Sequence, residues 1–120
     1  MAILGGDHAE GVLALETAGF KVERDLVTVI DDFGHNPDKV TATLNTLHAF
    51  PGRLLILFQP HGYGPTRFLR NDFVKEISEA LRPQDEIWMS EIFYAGGTAV
   101  KDISANDLIT DLKAKGVHAF

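Results

Sequence analysis

From Val27 onward the chain alternates between two kinds of apolar pattern. Val27–Phe33, Leu54–Phe58 and Glu86–Phe93 are short runs with apolar residues at consecutive positions, the pattern of strands covered on both faces. Between them the apolar residues spread out to helical spacing. Val40, Leu44 and Leu47 fall at i, i+4 and i+7, while Leu69, Phe73, Ile77 and Leu81 recur every four residues. Each set makes one stripe of an amphipathic helix. Asn36 is a good N-cap and Pro37 suits the first helical position. The first helix should end near Pro51-Gly52 and the second before Pro83. A third helix is well punctuated. Ser104 is its N-cap, Asp107 a capping-box partner, Leu108 and Leu112 its stripe, and Gly116 its terminating glycine. Val117–Phe120 then starts a fourth strand. The order β-α-β-α-β-α-β predicts an α/β fold with a mainly parallel sheet, flanked by helices and joined by right-handed crossovers. Val27–Phe33, Leu54–Phe58 and Ile87–Phe93 are expected to be neighbours in that sheet.

The first 26 residues carry weaker signals. Gly5-Gly6-Asp7-His8 reads as a turn and Ala9–Ala18 as a short helix closed by Gly19. Ala2–Leu4 is a candidate for a small N-terminal strand. At 120 residues the chain suffices for one small domain. With 45% hydrophobic and 23% charged residues, its composition is that of a soluble globular protein. No apolar run is long enough to cross a bilayer, and Met1-Ala2-Ile3-Leu4 lacks the start of a signal peptide. There is no cysteine. Disulfides, thiolate metal sites and a cysteine nucleophile are therefore excluded, and a reducing, cytoplasmic setting is expected. The formal charge of −6 opposes binding to a phosphate backbone, so no nucleic-acid partner is expected. A nucleotide ligand stays open, because it is held locally by backbone N–H groups and a few cations.

Two polar clusters stand at strand ends, where ligands bind in open α/β sheets. The first is Asp31-Asp32-Phe33-Gly34-His35-Asn36-Pro37. Adjacent strand residues point to opposite faces, so one aspartate should tie down the turn while the other reaches outward. A carboxylate there can accept hydrogen bonds from ribose hydroxyls. The same residues would also serve as a purely structural Asx turn and N-cap. The second cluster is Gln59–Arg67. His61, Tyr63 and Arg67 can recognise an anion, since Arg grips a carboxylate in a bidentate way. Gly62, Gly64 and Pro65 set the backbone path between them. Gly96-Gly97-Thr98 offers a weaker anion turn. The histidines at 8, 35, 48, 61 and 118 have no metal-ligand spacing, so no metal site is expected, and His48 should lie on a helix surface. There is no P-loop, and Ser78, Ser90 and Ser104 lack an esterase setting.

Together V-I-D-D-F-G-H-N-P, F-Q-P-H-x-Y-x-x-T-R and E-I-F-Y-A-G-G resemble the C-terminal domain of the Mur ligases, closest to the UDP-N-acetylmuramate–L-alanine ligase branch. The resemblance runs from about Val27 to Gly116. It implies a Rossmann-like domain at 27–120, shortened at its C-terminus, with 1–26 as an N-terminal segment, a candidate tail of a preceding domain. It implies an ATP- and Mg²⁺-dependent, amide-forming ligase of peptidoglycan synthesis or recycling, with a UDP-sugar and an amino acid as substrates. In such an enzyme this domain closes over ATP and helps to bind the amino acid. By resemblance Asp32, His35 and Asn36 belong to the nucleotide side, and His61 and Arg67 to the amino-acid side. Gly62 and Pro65 stand where alanine-adding members carry arginines. Neither ATP nor Mg²⁺ is expected to bind this chain tightly, and alone it is expected to be inactive. The competing reading is a stand-alone module that binds a nucleotide or acidic metabolite without catalysis.

Overall fold

The computed structural model describes residues 2–5, 28–32, 34–49, 52–94 and 96–120. Among these, five strands and three helices alternate: β1 (Ala2–Gly5), β2 (Thr28–Asp31), α1 (Pro37–Leu47), β3 (Leu55–Phe58), α2 (Tyr63–Ala80), β4 (Glu86–Met89), α3 (Ala105–Ala114) and β5 (His118–Ala119). The strands form one sheet in the order β2-β1-β3-β4-β5. β3, β4 and β5 are parallel neighbours, as the pattern required. β1 runs antiparallel to both β2 and β3.

The expected contact between the β2 and β3 strands is corrected, because β1 lies between them. Apolar pattern identifies a strand, but hydrogen-bond pairing chooses its neighbour. The small strand expected at Ala2–Leu4 is present and holds an internal place in the sheet. The helix expected at Ala9–Ala18 lies outside the described residues, as do Val27 and Phe33.

The helices pack side by side, α1 on α2 and α2 on α3. Val40 and Leu44 of α1, Phe73 and Ile77 of α2, and Leu108 and Leu112 of α3 form one core with Ile56, Phe58 and Ile87 of the sheet and with Leu54 just before β3. Phe58 and Phe73 meet at 5.4 Å between ring centroids. The other side of the sheet is different. Leu57 is 50% and Trp88 46% exposed, and Phe120 stacks on Trp88 at 4.4 Å. Strands β3 and β4 therefore bury one face among the described residues, not the two that their apolar runs implied.

The helix boundaries follow local chemistry. The Asn36 side chain accepts from the Lys39 N–H at 2.9 Å, and Pro37 opens α1. Ser104 N–H donates to Asp107 Oδ2 at 2.9 Å, the capping-box bond expected for α3. Gly116, at φ 84°, follows that helix. α2 starts earlier than the stripe from Leu69 suggested. Tyr63, Gly64, Pro65, Thr66 and Arg67 form its beginning, and the Thr66 N–H bonds Gly62 O at 3.2 Å. Proline is tolerated there because first-turn N–H groups have no helical acceptor.

The amino-terminal pole of the parallel strands is held by Asp85. Its side chain is fully buried. It accepts from the Leu54 N–H at 2.8 Å, the Arg82 N–H at 2.9 Å and Arg82 Nε at 3.0 Å. Arg82 Nη2 also reaches Gly52 O at 2.8 Å. His48 joins this cluster, with Nε2 at 3.4 Å from Asp85 Oδ2 and a side chain only 20% exposed. That corrects its expected surface position. The end of α1 turns its ring inward, a direction that spacing along the helix does not fix.

Candidate functional site

At the carboxyl end of β2 the two aspartates divide their roles. Asp31 is exposed. Asp32 Oδ2 accepts from the Gly34 N–H at 3.0 Å and from Thr43 Oγ1 at 2.9 Å. Asp32 thus ties the turn to α1 and Asp31 reaches outward, the division that strand alternation required. Gly34 is needed for this geometry. A Cβ at that position would lie 2.6 Å from Asp32 Oδ2. His35 is exposed beside the turn, and Asn36 spends its carbonyl oxygen on the helix cap.

At the carboxyl end of β3 the chain crosses to the segment that follows β4. The Phe93 N–H donates to Pro60 O at 2.8 Å and the Gly62 N–H to Phe93 O at 2.9 Å. These bonds carry on the parallel pairing as an isolated bridge between His61 and Phe93, whose rings lie 4.7 Å apart. Gly62, at φ 80°, then turns the backbone into α2. Five residues on, Arg67 reaches across to the loop at 96–102. Nε meets Asp102 Oδ1 at 2.7 Å, and Nη2 meets Val100 O at 2.8 Å. Lys101 lies between those two anchor points in sequence, with Nζ 4.3 Å from the Tyr94 ring centroid and 6.0 Å from that of Tyr63. The two tyrosines meet edge to face at 5.6 Å, and the Tyr94 hydroxyl donates to Gly97 O.

The ends of β2, β3 and β4 border one concavity of about 550 Å³, lined by Asp31, Leu57, Phe58, Gln59, Trp88, Met89 and Ser90. It brings one member of each polar cluster together, Asp31 from the first and Gln59 from the second. Asp32, His35, Asn36, His61 and Arg67 are not among its lining residues. Of these five, the structure joins Asp32, His35 and Asn36 in one turn and sets His61 and Arg67 on either side of the start of α2. Among the described residues no group of three or more His, Asp or Glu is placed to hold a metal ion.

Sequence reasoning missed Lys101, Tyr94 and Asp102. Asp102 stands 35 residues from Arg67, and pairing at that distance follows no spacing rule. The signal present in the sequence was the Gly96-Gly97 pair, and both residues adopt positive φ, 102° and 107°.

Residues 19–120 match the Mur ligase, glutamate ligase domain family. The chain belongs to the Mur ligase family. Among curated proteins, this Mur ligase domain is 40% identical over 91 residues to a UDP-N-acetylmuramate–L-alanine ligase of Dictyoglomus turgidum, covering 76% of the chain and 19% of that protein. It is 43% identical over 91 residues to the enzyme of that name from Polaromonas naphthalenivorans, covering 74% and 18%. With the one from Clostridium botulinum strain Eklund 17B it shares 38% over 99 residues, covering 82% and 21%. The chain therefore spans about a fifth of the length of these relatives. The Mur ligase C-terminal domain carries the two turns of the candidate site at the carboxyl ends of β2 and β3, and β1 lies outside the matched residues.

Proposed function

We propose that this Mur ligase domain is the C-terminal part of an ATP-dependent amide-forming ligase of peptidoglycan synthesis or recycling, acting in the cytoplasm. In that enzyme ATP phosphorylates a substrate carboxylate, an amine attacks the acyl phosphate, and phosphate leaves. The substrates are a UDP-sugar and an amino acid. One observation carries the reading: both polar turns stand at the carboxyl ends of strands that run the same way, and one concavity touches both through Asp31 and Gln59. Ligands in open α/β sheets bind at this end.

The nucleotide side falls to Asp32, His35 and Asn36, and the amino-acid side to His61 and Arg67. The bonds from Gly34 and Thr43 hold Asp32 in one orientation, which is what a hydrogen-bond acceptor for a ribose needs. Mg²⁺ and the phosphate-binding loop would come from the remainder of the ligase. The isolated chain should release no phosphate from ATP.

Steady-state kinetics on the full-length ligase test the assignment. Asp32→Ala should raise KM for ATP, and Arg67→Ala should raise KM for the amino acid, each by roughly tenfold or more. Unchanged values of both KM in both folded variants would refute it.

A further inference from the structure

Arg67 is the residue of the second cluster best suited to hold a substrate carboxylate, yet its guanidinium is already occupied. Asp102 neutralises it at 2.7 Å from Nε, and Val100 O takes Nη2. Because Asp102 is committed in this way, it is not the partner of its neighbour Lys101. Among the described residues Lys101 has no ion pair, and its Nζ rests on the face of Tyr94 with Tyr63 nearby. Ring faces restrain an ammonium without neutralising it. The loop therefore carries one uncompensated, oriented positive charge, exposed beside the start of α2.

We propose that Lys101 is the cation that pairs with the carboxylate of the amino-acid substrate, and that Arg67 is a positioning residue that clamps its loop. This deepens the ligase reading above and rests on it. The chemistry is consistent on three counts. The carboxylate of an incoming amino acid is small and anionic, and it needs one charge-assisted donor to be oriented. The Arg67–Asp102 pair is neutral overall, so it can fix backbone on either side of Lys101 without competing for the ligand. Gly62 and Pro65 leave the start of α2 without a lysine or arginine ahead of Arg67, so a permanent charge free for the ligand is supplied from another segment. The loop at 96–102 supplies it beside the start of α2.

The test uses the full-length ligase that carries this chain. Phosphate release is followed with L-alanine, glycine, L-serine and L-glutamate, and the best of these is then compared with its carboxamide. Lys101→Met should raise KM for the amino acid about tenfold or more, with KM for ATP unchanged. The KM for the carboxamide, which has no carboxylate to pair, should not respond. Lys101→Arg should recover most of the loss, because it restores the charge. Thermal melts confirm folding, and Lys101→Gln serves as a second variant should Lys101→Met melt early. The proposal is overturned if Lys101→Met leaves KM for the amino acid unchanged, or raises it equally for acid and amide. If that happens while Asp32→Ala still raises KM for ATP, the ligase reading survives and only Lys101 is lost. If none of the amino acids is turned over by the unaltered enzyme, both fall.

Discussion

The two poles of the sheet use the same residue types for opposite ends. At the amino-terminal pole, Asp85 is sealed from solvent and every bond to it comes from the chain itself. At the carboxyl-terminal pole, Asp31, Lys101 and Arg67 are exposed. Burial decides the difference. A buried carboxylate is tolerated only when donors replace its lost water, so Asp85 must be fully served by Arg82 and Leu54. An exposed charge keeps its water until a ligand displaces it, so it can be left partly unsatisfied. One pole is a clasp that joins β3, β4 and the end of α2, and the other is a surface that can accept a partner.

The strongest way to break this comparison is Asp85→Ala. It would leave Arg82 and the Leu54 N–H without their acceptor, and it should cost about 3 kcal/mol of stability in chemical denaturation. Substitutions at the other pole should cost less. Acid provides the matching test. Burial by itself would raise the Asp85 pKa, but hydrogen bonds from the Arg82 side chain and the Leu54 and Arg82 N–H groups outweigh it, and the net shift is downward. A lowered folded-state value gives stability that is fully present above the unfolded aspartate pKa of about 3.9. That stability is lost as pH falls through the lower folded value. Melting temperatures of the parent chain should therefore drop in this acid range, and Asp85→Ala should flatten the drop.

Asp32→Ala comes next and sharpens the comparison, since Asp32 holds the turn and, in the function proposed above, would also meet the nucleotide. Loss of the acceptor for Gly34 and Thr43 should cost about 1–2 kcal/mol, and the rise in KM for ATP comes on top of it. Gly34→Ala should cost about 1 kcal/mol by crowding Asp32. It should also raise KM for ATP without touching the carboxylate chemically. Arg67→Ala is the smallest in stability, below about 1 kcal/mol, because its pair with Asp102 is exposed. Its effect should appear in KM for the amino acid. A melt shift for Arg67→Ala as large as that for Asp85→Ala would erase the contrast between the poles.

Much of the fold could be read from the chain because it rests on local physics. Helical spacing in Leu69, Phe73 and Ile77, the cap at Asn36, the capping box of Ser104 and Asp107, and the stop at Gly116 involve residues a few positions apart. The backbone enforces those relations within a single element. The split between Asp31 and Asp32 was legible too, as a consequence of strand alternation, although the pattern could not say which aspartate would turn inward. The three motifs, read together, also marked the family. Tertiary structure alone decided the rest. β1 entered between β2 and β3 because hydrogen-bond pairing across a sheet does not depend on sequence distance. Trp88 and Leu57 were left exposed because the apolar content of a strand does not reveal which face the helices will cover. His48 turned toward Asp85, and Arg67 toward Asp102, because side-chain contacts of this kind need only proximity in space. The amino-acid sequence determined the elements and their punctuation, and packing decided which charges were spent inside the fold and which remained at its surface.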